Sequence, residues 1–130
     1  MALPNGAGGY QVGDGNLNEV QIGTQTAPVS IGAVATLTAA QLTNGIIQYT
    51  GSTSPYLTLP TAADLDALVS SAKPNSSFDF SVMATGSGSP EVGPATGWTL
   101  VGGMTVANGT AALFRARKTG DAAWSLYKIA

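Results

Sequence analysis

The chain has 130 residues and a mass of 13.0 kDa, with 44% hydrophobic, 9% charged and 7% aromatic residues and a formal net charge of −2. This length suits one domain whose core needs no covalent staple. The charged fraction lies far below the quarter of an average soluble domain, and 44% hydrophobic residues with little net charge speak against overall disorder.

Further function classes fall away with composition. No heptad pattern supports a coiled coil, and an isoelectric point of about 4.6 leaves no electrostatic footprint for nucleic acid. The chain has no Cys and no His. That removes disulfides, cysteine-based zinc sites and Ser-His-Asp or Cys-His catalytic units. The first residues, MALPNGAGGYQ, hold no basic stretch and no apolar run, so no secretory leader is expected. No run of about 18 apolar residues suggests a membrane-spanning helix.

Residues 1–28 read as an extended arm. Gly6, Gly8, Gly9, Gly13, Gly15 and Gly23 fall here with Asn5, Asn16 and Asn18. Such a segment loses much backbone entropy on ordering and buries little in return. A solvated terminus fits the same composition. Tyr10, Val12, Leu17, Val20 and Ile22 are spaced like the anchors of an extended peptide, which makes them the candidate contacts of a binding arm. VQIGTQT (20–26) alternates and could begin a strand. Asp14, Asn16 and Asn18 resemble the start of a calcium loop. The expected glycine is missing and Gln25 stands at the twelfth position, so a turn-rich arm is the better description.

From residue 29 to 130 the sequence reads as one β domain. VSIGAVATL (29–37) is β-rich. A short helical turn follows, with Thr38 as N-cap and Asn44-Gly45 as stop, then a strand over 46–50. YLTL (56–59) is a strand closed by Pro60. One helix is clearly signalled over about 61–73: Thr61 caps it, Leu65, Leu68, Val69 and Ala72 form one apolar stripe, and Pro74 ends it. SFDFSVMA (77–84) is a strand with Phe78, Phe80 and Val82 on one face. TGSGSPEVGP (85–94) reads as a loop. GWTLVGG (97–103) and MTVANGT (104–110) read as strands, and Asn108-Gly109 as a hairpin turn into AALFRARK (111–118). A last strand covers 122–129. No internal repeat stands out. Seven or eight short strands and one helix at this spacing predict a mainly β fold, a jelly-roll-like β-sandwich.

Candidate chemistry is thin. Arg115, Arg117 and Lys118 form a small basic stripe; with Leu113 on the same face, a subunit interface is expected at Leu113, Arg115 and Arg117. Trp98 and Trp124 could stack on sugars, although each sits in an alternating strand, where a core position is commoner. The seven acids form no recognisable glycosidase pair. No catalytic residue, cofactor or metal is expected, and the chain is read as a non-enzyme.

A resemblance rests on phrases spread over 29–130: TAAQLTNGIIQYT, TLPTAADLDALVSS, SFDFSV, GWTLVGGMTVANGTAALFRARKT and AAWSLYKIA. Together they resemble the capsid decoration, or cement, proteins of tailed bacteriophages and the related head-fibre knobs. The resemblance implies a jelly-roll-like homotrimer on the outer capsid surface of the virion, made in the bacterial cytoplasm. It implies the major capsid protein as partner, with no nucleic acid and no membrane. In that setting the arm would cross capsomer boundaries and stabilise the head. A receptor- or glycan-binding knob and a head–tail adaptor are the alternatives; the lack of shaft sequence favours cement over fibre.

Overall fold

The computed structural model describes residues 22–130. Among them the chain alternates between two sheets. β1 (Val29–Ile31) lies in a six-stranded sheet and β2 (Ala35–Thr36) in a three-stranded one; α1 (Ala39–Thr43) follows. β3 (Ile46–Tyr49) returns to the first sheet, β4 (Tyr56–Thr58) to the second, and α2 (Ala62–Leu68) comes next. β5 (Ser77–Ala84) and β6 (Glu91–Gly93) repeat the step. β7 (Trp98–Val101), β8 (Ala111–Gly120) and β9 (Ala123–Lys128) complete the larger sheet, ordered β1-β3-β5-β8-β9-β7; the smaller is β2-β4-β6.

Strands of equal rank stack in parallel, β1 on β3 on β5 and β2 on β4 on β6. Each pass from sheet to sheet is thus one coil of a short solenoid, and each coil needs a neighbour to continue its buried inner face. The second and third coils repeat in sequence. Their register holds a constant offset of 35 residues, from Ile46↔Ser81 to Tyr56↔Glu91. The corners TGSTSP (50–55) and TGSGSP (85–90) differ only at Thr53/Gly88. The expectation of no internal repeat is corrected here; the identity lies mainly in a six-residue corner, while strand residues 46–49 and 81–84 share only their burial pattern.

The corners explain their glycines. They stack backbone on backbone, with Thr85 N–H donating to the Tyr49 carbonyl at 2.9 Å and Gly88 N–H to that of Gly51 at 3.1 Å. A Cβ at Gly86 would strike the Gly51 carbonyl, and one at Gly88 the Thr53 carbonyl.

The two ends of the stack differ. At the far end β8 runs antiparallel on β5, and residues 104–106 cover β6. There Val92 N–H donates to the Met104 carbonyl at 3.1 Å and Val106 N–H to that of Pro90 at 2.8 Å. At the near end β1 and β2 are both edge strands with no outer partner among the described residues.

One core joins the sheets. Leu37, Leu57, Leu59 and Val92 meet Ile47, Tyr49, Phe80, Val82, Phe114, Trp124 and Leu126. Phe80 and Phe114, opposite each other on β5 and β8, stack with ring centroids 5.4 Å apart.

The capping signals at Thr38 and Thr61 are met. The Thr38 hydroxyl accepts from Gln41 N–H while the Gln41 side chain accepts from Thr38 N–H, and Gly45, at φ +100°, follows the end of α1. This makes two helices where the sequence marked one firmly. The Thr61 hydroxyl accepts from Asp64 N–H. α2 stops at Leu68 rather than near 73, because Val69 leaves helical geometry (φ −106°, ψ 56°) and Ser70 and Ser71 favour turns. Three further expectations are corrected. The 85–94 segment contains β6. Residues 104–110 form a single bridge and a turn, not a strand. Asn108-Gly109 makes a turn, but no hairpin follows, since β8 pairs with β5 and β9. Five of the seven strand pairings are parallel, whereas jelly rolls are antiparallel. Local alternation does not reveal that choice, which the crossovers set.

Candidate functional site

Strand alternation places Leu113, Arg115 and Arg117 together on the outer face of the larger sheet, while Ala112, Phe114 and Ala116 enter the core. Arg115 stands opposite Asp79 on β5 and Tyr127 on β9. It grips Asp79 in a two-pronged ion pair, Nε to Oδ1 at 2.7 Å and Nη2 to Oδ2 at 3.0 Å. The hydrogen bond from Arg115 holds the Asp79 carboxyl below its ordinary range. Arg117 donates to the Tyr127 hydroxyl from Nε (3.1 Å) and Nη2 (2.9 Å) and to Asn75 Oδ1 from Nη1 (2.8 Å). Those bonds lower the Tyr127 pKa. Both guanidinium groups are thus engaged within the protein, Arg115 by the Asp79 carboxylate and Arg117 by the Tyr127 hydroxyl and the Asn75 amide oxygen. Leu113 lies half-buried beside them, its backbone bonded to Ile129 and Ala130.

Lys118 does not join this stripe. It is buried and reaches Asp66 of α2 at 3.2 Å. Asp66 also accepts from Ala122 N–H at 2.6 Å and from Trp124 Nε1 at 2.8 Å. Burial pushes its carboxyl up, but the hydrogen bonds from Trp124, Ala122 and Lys118 outweigh this and the net shift is downward. The cluster ties α2 to the β8–β9 turn, where Ala122 takes a positive φ of 48°.

The described part of the arm, residues 22–28, is exposed and forms no helix or strand, so the strand expected over 20–26 is absent from its described residues 22–26. Its side chains fasten it to Asn44: Gln25 Nε2 donates to the Asn44 carbonyl at 2.7 Å, Thr26 Oγ1 bonds Asn44 Oδ1, and Asn44 Nδ2 donates to the Ala27 carbonyl at 3.3 Å. Ile22 is 89% exposed. Tyr10, Val12, Leu17 and Val20 lie outside the described residues, as does the calcium-like Asp14, Asn16, Asn18 pattern.

The tryptophans belong to the core and form no sugar platform. Trp124 is 2% exposed; Trp98 is 9% exposed and donates from Nε1 to the Pro60 carbonyl at 2.7 Å. A different aromatic faces solvent. Tyr56, 57% exposed, projects from the outer face of the smaller sheet and lies over Gly93, where a Cβ would sit only 3.1 Å from its ring. A hydrogen bond with Glu91 raises the Tyr56 pKa, and Glu91 Oε1 accepts from Thr105 Oγ1 at 3.0 Å. These residues line a depression of about 340 Å³ with Ser54, Pro55 and Ser89. In the sequence, the alternation of YLTL, with Leu57 inward and Tyr56 outward, was the available signal.

A larger groove of about 600 Å³ runs past Thr36, Thr38, Thr58, Thr61 and Thr96, with Asp64 as its ionisable group. No group of Asp or Glu that could hold a metal ion occurs among the described residues, and no helix there is long and apolar enough to cross a membrane. No protein-family model, curated protein or solved structure matches the chain.

Proposed function

We propose that the chain is a structural virion protein. As a homotrimer it binds the outer surface of a tailed-phage capsid and clamps neighbouring capsomers through the major capsid protein. The observation that carries this reading is the root of the arm. Residues 22–28 are exposed, form no helix or strand and are bonded to the domain where Gln25, Thr26 and Ala27 meet Asn44. Such a segment can order on a neighbouring surface and meet its entropy cost there. Three arms on one trimer bind multivalently, so weak contacts sum to firm attachment. The domain supplies the rigid base: two sheets around one core, layered as a β-sandwich of mostly parallel coils. The face of Leu113, Arg115 and Arg117, where Arg115 is already paired with Asp79, is the subunit contact in this proposal.

Two measurements test it. Light scattering should give a mass of three chains for the full chain and for residues 29–130, which contain the whole described core. Co-sedimentation with capsids assembled without the protein should retain the full chain and lose the truncated one. Equal retention of both forms refutes the arm mechanism, and a one-chain mass refutes the trimer.

Tyr56 favours a second reading, a glycan-binding knob. An exposed aromatic ring beside the Glu91 carboxylate and the hydroxyls of Ser54, Ser89 and Thr105 can stack on a pyranose and bond its hydroxyls. A glycan array with the chain and its Tyr56→Ala variant separates the readings: binding lost in the variant supports the knob.

A further inference from the structure

The open end of the coil stack and the sequence of the arm fit one another. β1 is formed by Val29-Ser30-Ile31, followed by Gly32. Nine residues earlier the chain reads Val20-Gln21-Ile22-Gly23, the same pattern with one polar exchange. The segment able to make the first rung of the larger sheet is thus written twice, and β1 has no partner on its outer side among the described residues. An edge strand of this kind is a template for an added strand.

Residues 22 and 23, the described half of that copy, pair with no strand of their own domain. Val29 pairs with Ile47, and Thr26 meets Asn44 at the same offset, next to the end of α1. Gln25 reaches the Asn44 carbonyl as well. Residues 22–28 form no strand pairing back over β1, and Ile22 is 89% exposed. Stacking 20–23 in parallel on β1 of the same chain would need a crossover of a dozen or more residues. Only residues 24–28 are available. At up to about 3.3 Å per residue, the steps from Gly23 to Val29 can instead reach as far as roughly 20 Å.

We infer that residues 20–23 add as an outer strand to β1 of a second copy of this chain. This rests on the trimeric reading above and names its strap. Each copy gives one strand and receives one, a head-to-tail contact that closes when the rotation closes, as in a three-membered ring. In the added rung Gln21 lies beside Ser30, whose side chain is exposed, and Ile22 beside Ile31, at the rim of the core. The strap covers β1 at the open end of the coil stack, as β8 covers β5 at its other end. It supplements the sheet-face contact, so residues 29–130 still associate. The distal anchors Tyr10, Val12 and Leu17 are left for the capsid.

The chain contains no Cys, which makes a cross-link test clean. Neighbouring strands lie about 4.8 Å apart, within the usual Cα separation of a disulfide. The full chain carrying Gln21→Cys and Ser30→Cys together is oxidised and run on a denaturing, non-reducing gel. A ladder ending at three linked chains is expected, absent from both single variants. A disulfide closed within one chain, no disulfide at all, or equal linking by Gln21→Cys alone overturns the strap. Light scattering of the unmodified chain distinguishes the two levels. A three-chain mass alongside any of those failures removes the strap and leaves the trimer standing; a one-chain mass removes both.

Discussion

The two ends of the coil stack are built from the same kind of strand and meet opposite fates. At the far end, β5 is covered by the ten-residue β8, and β6 by residues 104–106. At the near end, β1 has three residues, β2 has two, and neither has an outer partner among the described residues. Repeated coils are stable in the middle and vulnerable at the ends, so a stack must be capped or must recruit its cap. Stability is therefore expected to concentrate around β5, β8 and β9, and association around β1.

Substitutions at matched positions test that contrast. Phe114→Ala opens the centre of the capped region, where Phe114 is fully buried against Phe80. Its expected cost is about 4 kcal/mol, against about 2 kcal/mol for Ile31→Ala at the open edge. Urea denaturation of both variants reads the difference; equal costs would break the comparison. The corners give the next largest effect. Gly88→Ala forces a Cβ into the Thr53 carbonyl and should cost about 2–3 kcal/mol. Gly32→Ala, whose Cβ would meet Thr50 Oγ1 at 3.6 Å, should stay within about 0.5 kcal/mol.

Smaller effects sharpen the same picture. The Asp66 cluster fastens α2 to the capped end, and its carboxyl titrates below the ordinary aspartate range. The native state then binds fewer protons than the unfolded state as that range is crossed. The contribution of Asp66 is complete above the ordinary value near 3.9 and disappears as pH falls through the lowered native one. Asp66→Asn should cost about 1 kcal/mol at neutral pH, and its stability curve should converge with that of the parent in acid. Thermal unfolding between neutral and acid pH measures both. The smallest effect is expected at Asp79→Asn. The ion pair with Arg115 is exposed, and exposed pairs contribute little. Its unfolding midpoint should not move measurably, whereas trimer dissociation on dilution should, since the pair lies on the proposed subunit face.

Local features were the legible part of this sequence. Thr38 and Asn44-Gly45 marked the bounds of α1, and alternation in SFDFSVMA marked β5 with Phe80 and Val82 inward. Core positions for the tryptophans also followed from alternation. Coil stacking was not legible, because strands of two or three residues such as β2, β4 and β6 are too short to show a period. The six-residue corner repeat carried the information instead, and it resembles an ordinary Ser/Gly/Pro turn when read alone. The Arg115–Asp79 pairing depends on the register of strands 36 residues apart, and the exposure of Tyr56 on the glycine beneath it from the next coil. The pairing has no local signature, and alternation in YLTL gives only the outward direction of Tyr56.

The entry of the arm root into β1 has a mechanical meaning. A pull passed through the arm root enters β1 at its end and loads the Val29–Ile31 ladder with β3 lengthwise. Ladder bonds loaded lengthwise share the force and yield together, whereas a strand pulled sideways loses them one after another. The junction behaves as a lap joint rather than a zipper. Tension arising outside the domain is delivered to its sheet in shear, the direction in which three short residues of ladder resist most.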